Sequence, residues 1–304
     1  MALTNSLVPL PLSGNTTEPQ NQLLQQLLTR ASASVYEQIL SRLDQQTAQL
    51  LLESGADLEK ELIRLMQEAI ERRMISDKFI EEEVGSDRMY PRQYRLRYIE
   101  DQVEELRKTF PALGSWRGKL AKAELHDEAE GWLAIPRWQA LAPTYNEAVE
   151  MALRALAGRR RFDNRIGGRL GPSFLRQSER TKLAERLLAE QQPGADILVV
   201  AGQAGMLHRG TSARRTRVAL APHEFGFGVF AFACILLTHP ERLSSPDTLM
   251  VDCGGDEYSV RGDVHFDRVP LFDYDIAGVE FSVFYEDRAR NRWGTPTGFV
   301  YKLG

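Results

Sequence analysis

Asp252, Asp256 and Glu257 are the group of carboxylates in this sequence best placed for chemistry, following the apolar run Leu249-Met250-Val251. Two or three carboxylates at a strand end can hold Mg²⁺ or Mn²⁺ for phosphoryl transfer. A nuclease of that type also uses a lysine or histidine, and His239 and His265 are the candidates. Such an ion is the only cofactor the residues suggest, and only under this enzyme reading. Asp256-Glu257 behind Gly254-Gly255 is equally the composition of a plain polar turn.

The cations point another way. Between Arg154 and Arg217 there are fourteen Arg and Lys against five Asp and Glu. With a chain total of −4, that segment carries +9 and the remainder −13. Arg159, Arg160, Arg161, Arg165 and Arg169 form one basic tract; Arg209, Arg214, Arg215 and Arg217 form a second. Guanidinium forks match phosphate geometry, and the two tracts together could follow a nucleic-acid backbone. In an extended segment Arg215 and Arg217 would share one face and Arg214 the other. Only Phe162 and Phe174 interleave, so phosphate contact is expected rather than base stacking. The alternative is that the arginines meet the chain's own acidic helices.

Several motifs are incomplete. The segment Gly205-Met206-Leu207-His208-Arg209-Gly210-Thr211-Ser212 has the glycine spacing of a phosphate loop, yet Thr211 stands where the lysine belongs. His223-Glu224 would open a zinc-peptidase helix only with a second histidine at 227, which is Phe227. There, Glu224 is explained by the dipole at a helix start. No Gly-x-Ser-x-Gly elbow occurs. The two cysteines, Cys234 and Cys253, sit in apolar surroundings and read as core residues of a reducing compartment.

What must position these groups is legible in the periodicity. Residues 1–19, rich in Pro, Ser, Asn and Thr, read as a disordered tail without a signal peptide. A helical region is expected over 20–112. Its first stripe runs from Leu23 to Leu43 and stops at Gly55. A second helix carries Leu58, Leu62 and Leu65. The cleanest stripe is Leu96, Ile99, Val103, Leu106 and Phe110, at 3-4-3-4 spacing. It is expected to pack on the Leu58 helix; an oligomer or protein partner on the 96–110 face is the alternative. Thr144 and Glu147 form a capping box for a helix ending near Gly158, and another helix is expected over 178–190.

Ile197–Ala201 and Leu249–Val251 read as strands flanking a helix over Phe225–Leu237. That run of thirteen apolar residues is shorter than the ~20 a membrane span needs. Strands are expected over 131–136, 264–269, 279–285 and 297–301, the last two joined by a hairpin at Asn291–Gly294.

Helices first and strands last give an α+β protein: a helical N-terminal region, then a mixed α/β domain over 130–304 with a β-rich C-terminus. The function expected is a cytoplasmic protein that holds nucleic acid or another polyanion on its arginine-rich surface, with no membrane contact. The metal-dependent phosphodiester or nucleotide enzyme is one alternative. An assembly protein acting through its helical region is the other.

Overall fold

The computed structural model describes residues 43–53, 78–275 and 278–300, with single positions at 26, 29, 30, 33, 37, 55 and 60. The tail over 1–19 and the helical patterns over 23–39 and 58–69 lie outside them. The chain forms two compact units, Met1–Glu71 and Arg72–Gly304. In the first, helix α1 (Gln45–Glu53) is capped by Asp44, whose carboxylate accepts the Thr47 amide at 2.8 Å. Gly55 is helical and not a stop.

The second unit is built on a ten-stranded mixed sheet, so the protein is α+β with a strand-rich C-terminal part. Its main path runs β1 (Gly131–Pro136), β4 (Ile197–Arg209), β10 (Trp293–Phe299), β6 (Met250–Asp252), β8 (Arg268–Asp275), β7 (Asp256–Tyr258) and β3 (Leu175–Gln177). Off it, β5 (Glu224–Gly226) pairs with β10, and β9 (Gly278–Tyr285) joins β8 to β2 (Phe162–Asn164). Only β10–β6 and β2–β9 are parallel. The first nine residues of β4 are all buried, which is why its sequence is a continuous apolar run and does not alternate.

Among its described residues this unit has five α-helices: α2 (Ile99–Thr109), α3 (Tyr145–Arg159), α4 (Glu179–Gln191), α5 (Ala213–Ala219) and α6 (Val229–Thr238). All ten residues of α6 are buried, as its uniformly apolar composition requires. It packs on α3, β1 and α2. The 3-4 stripe of α2 is in the same core, with Ile99, Val103, Leu106 and Phe110 each at most 6 % exposed. The Leu58 helix expected to cover that stripe lies outside the described residues. Thr144 caps α3 as its sequence implies, accepting the Glu147 amide at 3.3 Å.

Three local expectations are corrected. Residues 225–226 are strand β5 and the apolar helix begins only at Val229, so Glu224 sits at a strand start. The sequence 214–217 is helix, not extended, because Ser212 caps it by accepting the Arg215 amide at 3.0 Å. And 291–294 is no hairpin: β9 pairs with β8 whereas β10 crosses to the middle of the sheet, between β4 and β6.

Among the described residues, no helix is long and apolar enough to cross a membrane.

Candidate binding cleft

Of the nine arginines singled out from the sequence, eight hold side-chain partners within the chain. Arg159 pairs with Glu105, Arg165 with Asp163 and Glu280, Arg214 with Glu82, Arg215 with Glu83 and Arg217 with Glu286. Arg160 donates to the carbonyls of Pro240 and Leu243. Arg169 reaches the Ile166 carbonyl, and Arg209 the thioethers of Met89 and Met206. Arg161 is exposed ahead of β2, its carbonyl accepting the Val279 amide.

The densest of these contacts clasps residues 82–84 to the start of α5. Glu82, 7 % exposed, accepts from Ser212 Oγ at 2.6 Å and from both sides of the Arg214 fork. The Val84 amide meets the Gly210 carbonyl, and Gly210 has φ 76°. A side chain there would be strained and would strike the Val84 carbonyl. The segment 205–212, whose glycine spacing matches an incomplete phosphate loop, is thus the end of a thirteen-residue strand followed by this clasp.

The carboxylates also separate. Asp252 ends β6, fully enclosed, and burial pushes its carboxyl up to about 7. Asp256 and Glu257 begin β7 and point to opposite faces, as successive strand residues must. Glu257 reaches across to its register partner Arg176 on β3 at 2.7 Å. Asp256 turns inward. Its Oδ2 accepts from Tyr145 Oη at 2.6 Å and from the Val229 amide, the first of α6, at 2.7 Å. Gly228 allows this approach, because a Cβ there would collide with both the carboxylate and the tyrosine hydroxyl. Burial raises Asp256 to about 7, and its Oδ1 has no partner. Among the described residues, these three carboxylates do not bring their oxygens to one point as a metal site would need.

Beside Tyr145 opens a cleft of about 670 Å³. That volume lies within the range of small-molecule sites. Its floor is apolar, from Ile135, Leu175 and Leu198. Trp138 and Tyr145 stand edge to face on one wall with ring centres 6.2 Å apart. One face of α4 also lines the cleft, where Lys182, Glu185, Arg186 and Ala189 recur at helical spacing. Ser178 caps that helix and so fixes its start.

Arg137, just past β1, and Arg176 complete a rim of four cations. Arg176 is stacked 3.8 Å from the Phe266 ring centre, and Lys182 pairs with Glu179. Among the described residues, Arg137 and Arg186 enter no ion pair, and both line the cleft.

Glu185 sits among them, accepting from Gln177 Nε2 at 2.8 Å and from the Trp138 indole. Both donors are neutral. Loss of hydration outweighs them and pushes the carboxyl up to about 7. Its charge is felt by both Tyr145 and Asp256, so the cleft holds a carboxyl that changes state near neutrality.

Sequence reading counted Arg176, Lys182 and Arg186 within the basic segment without singling them out, and it missed Arg137, Trp138 and Glu185. The i, i+3, i+4 recurrence of charged residues on a helix with an otherwise apolar face was the available signal for α4. Nothing local marks Arg137 or Trp138 as their neighbours. Comparison with family models, curated proteins and solved structures finds no match to this chain.

Proposed function

We propose that this protein binds a small phosphate-bearing molecule with a flat ring, of the nucleotide class, in the cleft between Trp138 and α4. The ring would lie against Trp138 and Tyr145, and the phosphates on Arg137 and Arg186, with Arg176 and Lys182 behind them. One observation carries the reading: two guanidinium groups without ion pairs line, together with the Trp138–Tyr145 pair, a cleft of ligand size. This keeps the anion-binding expectation but takes it to the cleft, because eight of the nine arginines at 159–169 and 209–217 already hold side-chain partners within the chain.

The test is calorimetric titration with AMP, ADP and ATP at ~50 mM salt, where phosphate contacts are strong, with an unrelated-sequence oligonucleotide run in parallel. Saturable binding of the mononucleotides, lost in Arg137→Ala/Arg186→Ala and blunted in Trp138→Ala, supports the cleft. Binding of the oligonucleotide alone, unchanged in the double variant, would return the function to a nucleic-acid surface elsewhere.

A further inference from the structure

We propose that His126, Glu128 and His223 form a binding site for Zn²⁺, separate from the cleft. His126 and Glu128 lie on the loop ahead of β1, and His223 directly precedes β5. One ligand atom from each of the three lies within 4.8 Å of the other two. Among the described residues, no other three His, Cys, Asp or Glu side chains gather their ligand atoms in this way. Two imidazoles and a carboxylate suit a borderline ion such as Zn²⁺. Mg²⁺ and Ca²⁺ call for oxygen donors.

The backbone that presents the two rings is anchored. His126 lies flat on Phe299, with ring centres 4.5 Å apart and planes 12° from parallel. Phe299 is itself 1 % exposed in the central strand. The His223 carbonyl accepts the Val300 amide at 2.8 Å. The next residue, Glu224, is pinned by His208 Nε2 at 2.7 Å and Thr297 Oγ1 at 2.6 Å. These anchors hold the imidazoles of His126 and His223 with centres 4.6 Å apart.

His126 Nδ1 accepts the Glu128 amide at 3.2 Å, a long hydrogen bond. Coordination through Nδ1 would exchange this bond for the metal. The exposed side chain of Glu128 can close from the other side. Three protein donors leave a fourth tetrahedral position for water or a ligand, the arrangement of zinc sites that perform chemistry. The zinc-peptidase motif at His223-Glu224 fails in sequence at Phe227; in the fold it is His126, 97 positions upstream, whose ring lies beside His223.

The experiment is titration of the chelator-dialysed full chain with ZnCl₂ by calorimetry, and with Co²⁺ by visible absorption. The expected result is one ion per chain, with a tetrahedral cobalt spectrum. His126→Ala and His223→Ala should each weaken Zn²⁺ binding by at least ~100-fold, the upper end of what loss of even an orienting partner does. His265→Ala, on an exposed loop, should bind as the wild type does. Glu128→Ala changes only an exposed side chain and serves if a histidine variant fails to fold; it too should bind more weakly. The proposal is overturned if the wild type takes up no Zn²⁺ saturably, or if folded His126→Ala, His223→Ala and Glu128→Ala bind as tightly as it does.

Discussion

Tyr145 donates its hydroxyl to Asp256 at 2.6 Å, joining the first turn of α3 to the strand that begins 111 residues later. The same carboxyl oxygen takes the leading amide of α6. One side chain thereby ties two helices to the sheet at a point closed to water.

That enclosure sets a pH dependence. In the unfolded chain Asp256 loses its proton near 4, and in the folded protein near 7. Between those values the native state binds the extra proton, so its stability falls as pH rises from about 4 through 7. Glu185 and Asp252 act in the same direction. His239, fully buried and held down at about 4, opposes them below 6.5. Asp256→Asn removes one titrating carboxyl while keeping an acceptor for Tyr145. Its melting temperature should match the wild type near pH 5 and exceed it near pH 8. A tenfold difference in acidity between the folded and unfolded states corresponds to about 1.4 kcal/mol. Parallel wild-type and variant curves would show that Asp256 is ionised in the folded protein throughout.

Ligand affinity in the cleft should carry a related signature. Once ionised, Glu185 repels an anion lodged between Arg137 and Arg186. Nucleotide binding should weaken as pH rises through about 7, beyond the ligand's own phosphate ionisation near 6. Glu185→Gln should bind more evenly across pH 6–8, as isothermal titration would record. A variant that retains the full wild-type dependence excludes Glu185 as its source.

Arg214→Ala separates a structural from a ligand-binding role for the arginines. It leaves the enclosed Glu82 with Ser212 as its remaining hydrogen-bond donor, so a loss of about 1–3 kcal/mol is expected in denaturant unfolding. An arginine reserved for a polyanion would leave the unfolding midpoint in place and change only binding.

Gly255 is closed to any side chain. A Cβ there would run into the Gly226 carbonyl oxygen, the Phe227 carbonyl carbon and the Gly228 amide, all three being main-chain atoms that cannot step aside. Gly255→Ala should lower the yield of folded protein sharply. Ala233→Asp in α6 should do the same, since an unpaired charge in that core costs several kcal/mol. Wild-type melting of either variant would mean the β5–β7 junction or α6 packs differently.

How far the sequence could be read follows from the range of each interaction. Thr144, Ser178 and the α2 stripe act within one or two helical turns, and their helices stand where composition places them. The uniformly apolar α6 announced its own burial. Strand partners were not legible, because β10 pairs with β4, β5 and β6 and not with its neighbour β9. Nothing between Asn291 and Gly294 encodes that crossing. The arginines show the same limit: net charge along the chain gave their density, while the partners Glu82, Glu83, Glu105 and Glu286 come from distant segments. The cleft shares it, since Arg137, Trp138 and Glu185 meet only once β1 and α4 are in place.

The position of β10 also bears on the order of assembly during synthesis. It is the last of the ten strands to leave the ribosome, yet it occupies the centre of the sheet, flanked by β4 and β6. Until it arrives, the apolar edge of β4 and the short β6 have no neighbour on that side, and contacts spanning about ninety residues wait on it. Such late, non-local closure slows folding and leaves strand edges open to other chains. Nascent chains truncated before Trp293 should therefore be the form most readily captured by chaperones and most prone to aggregate.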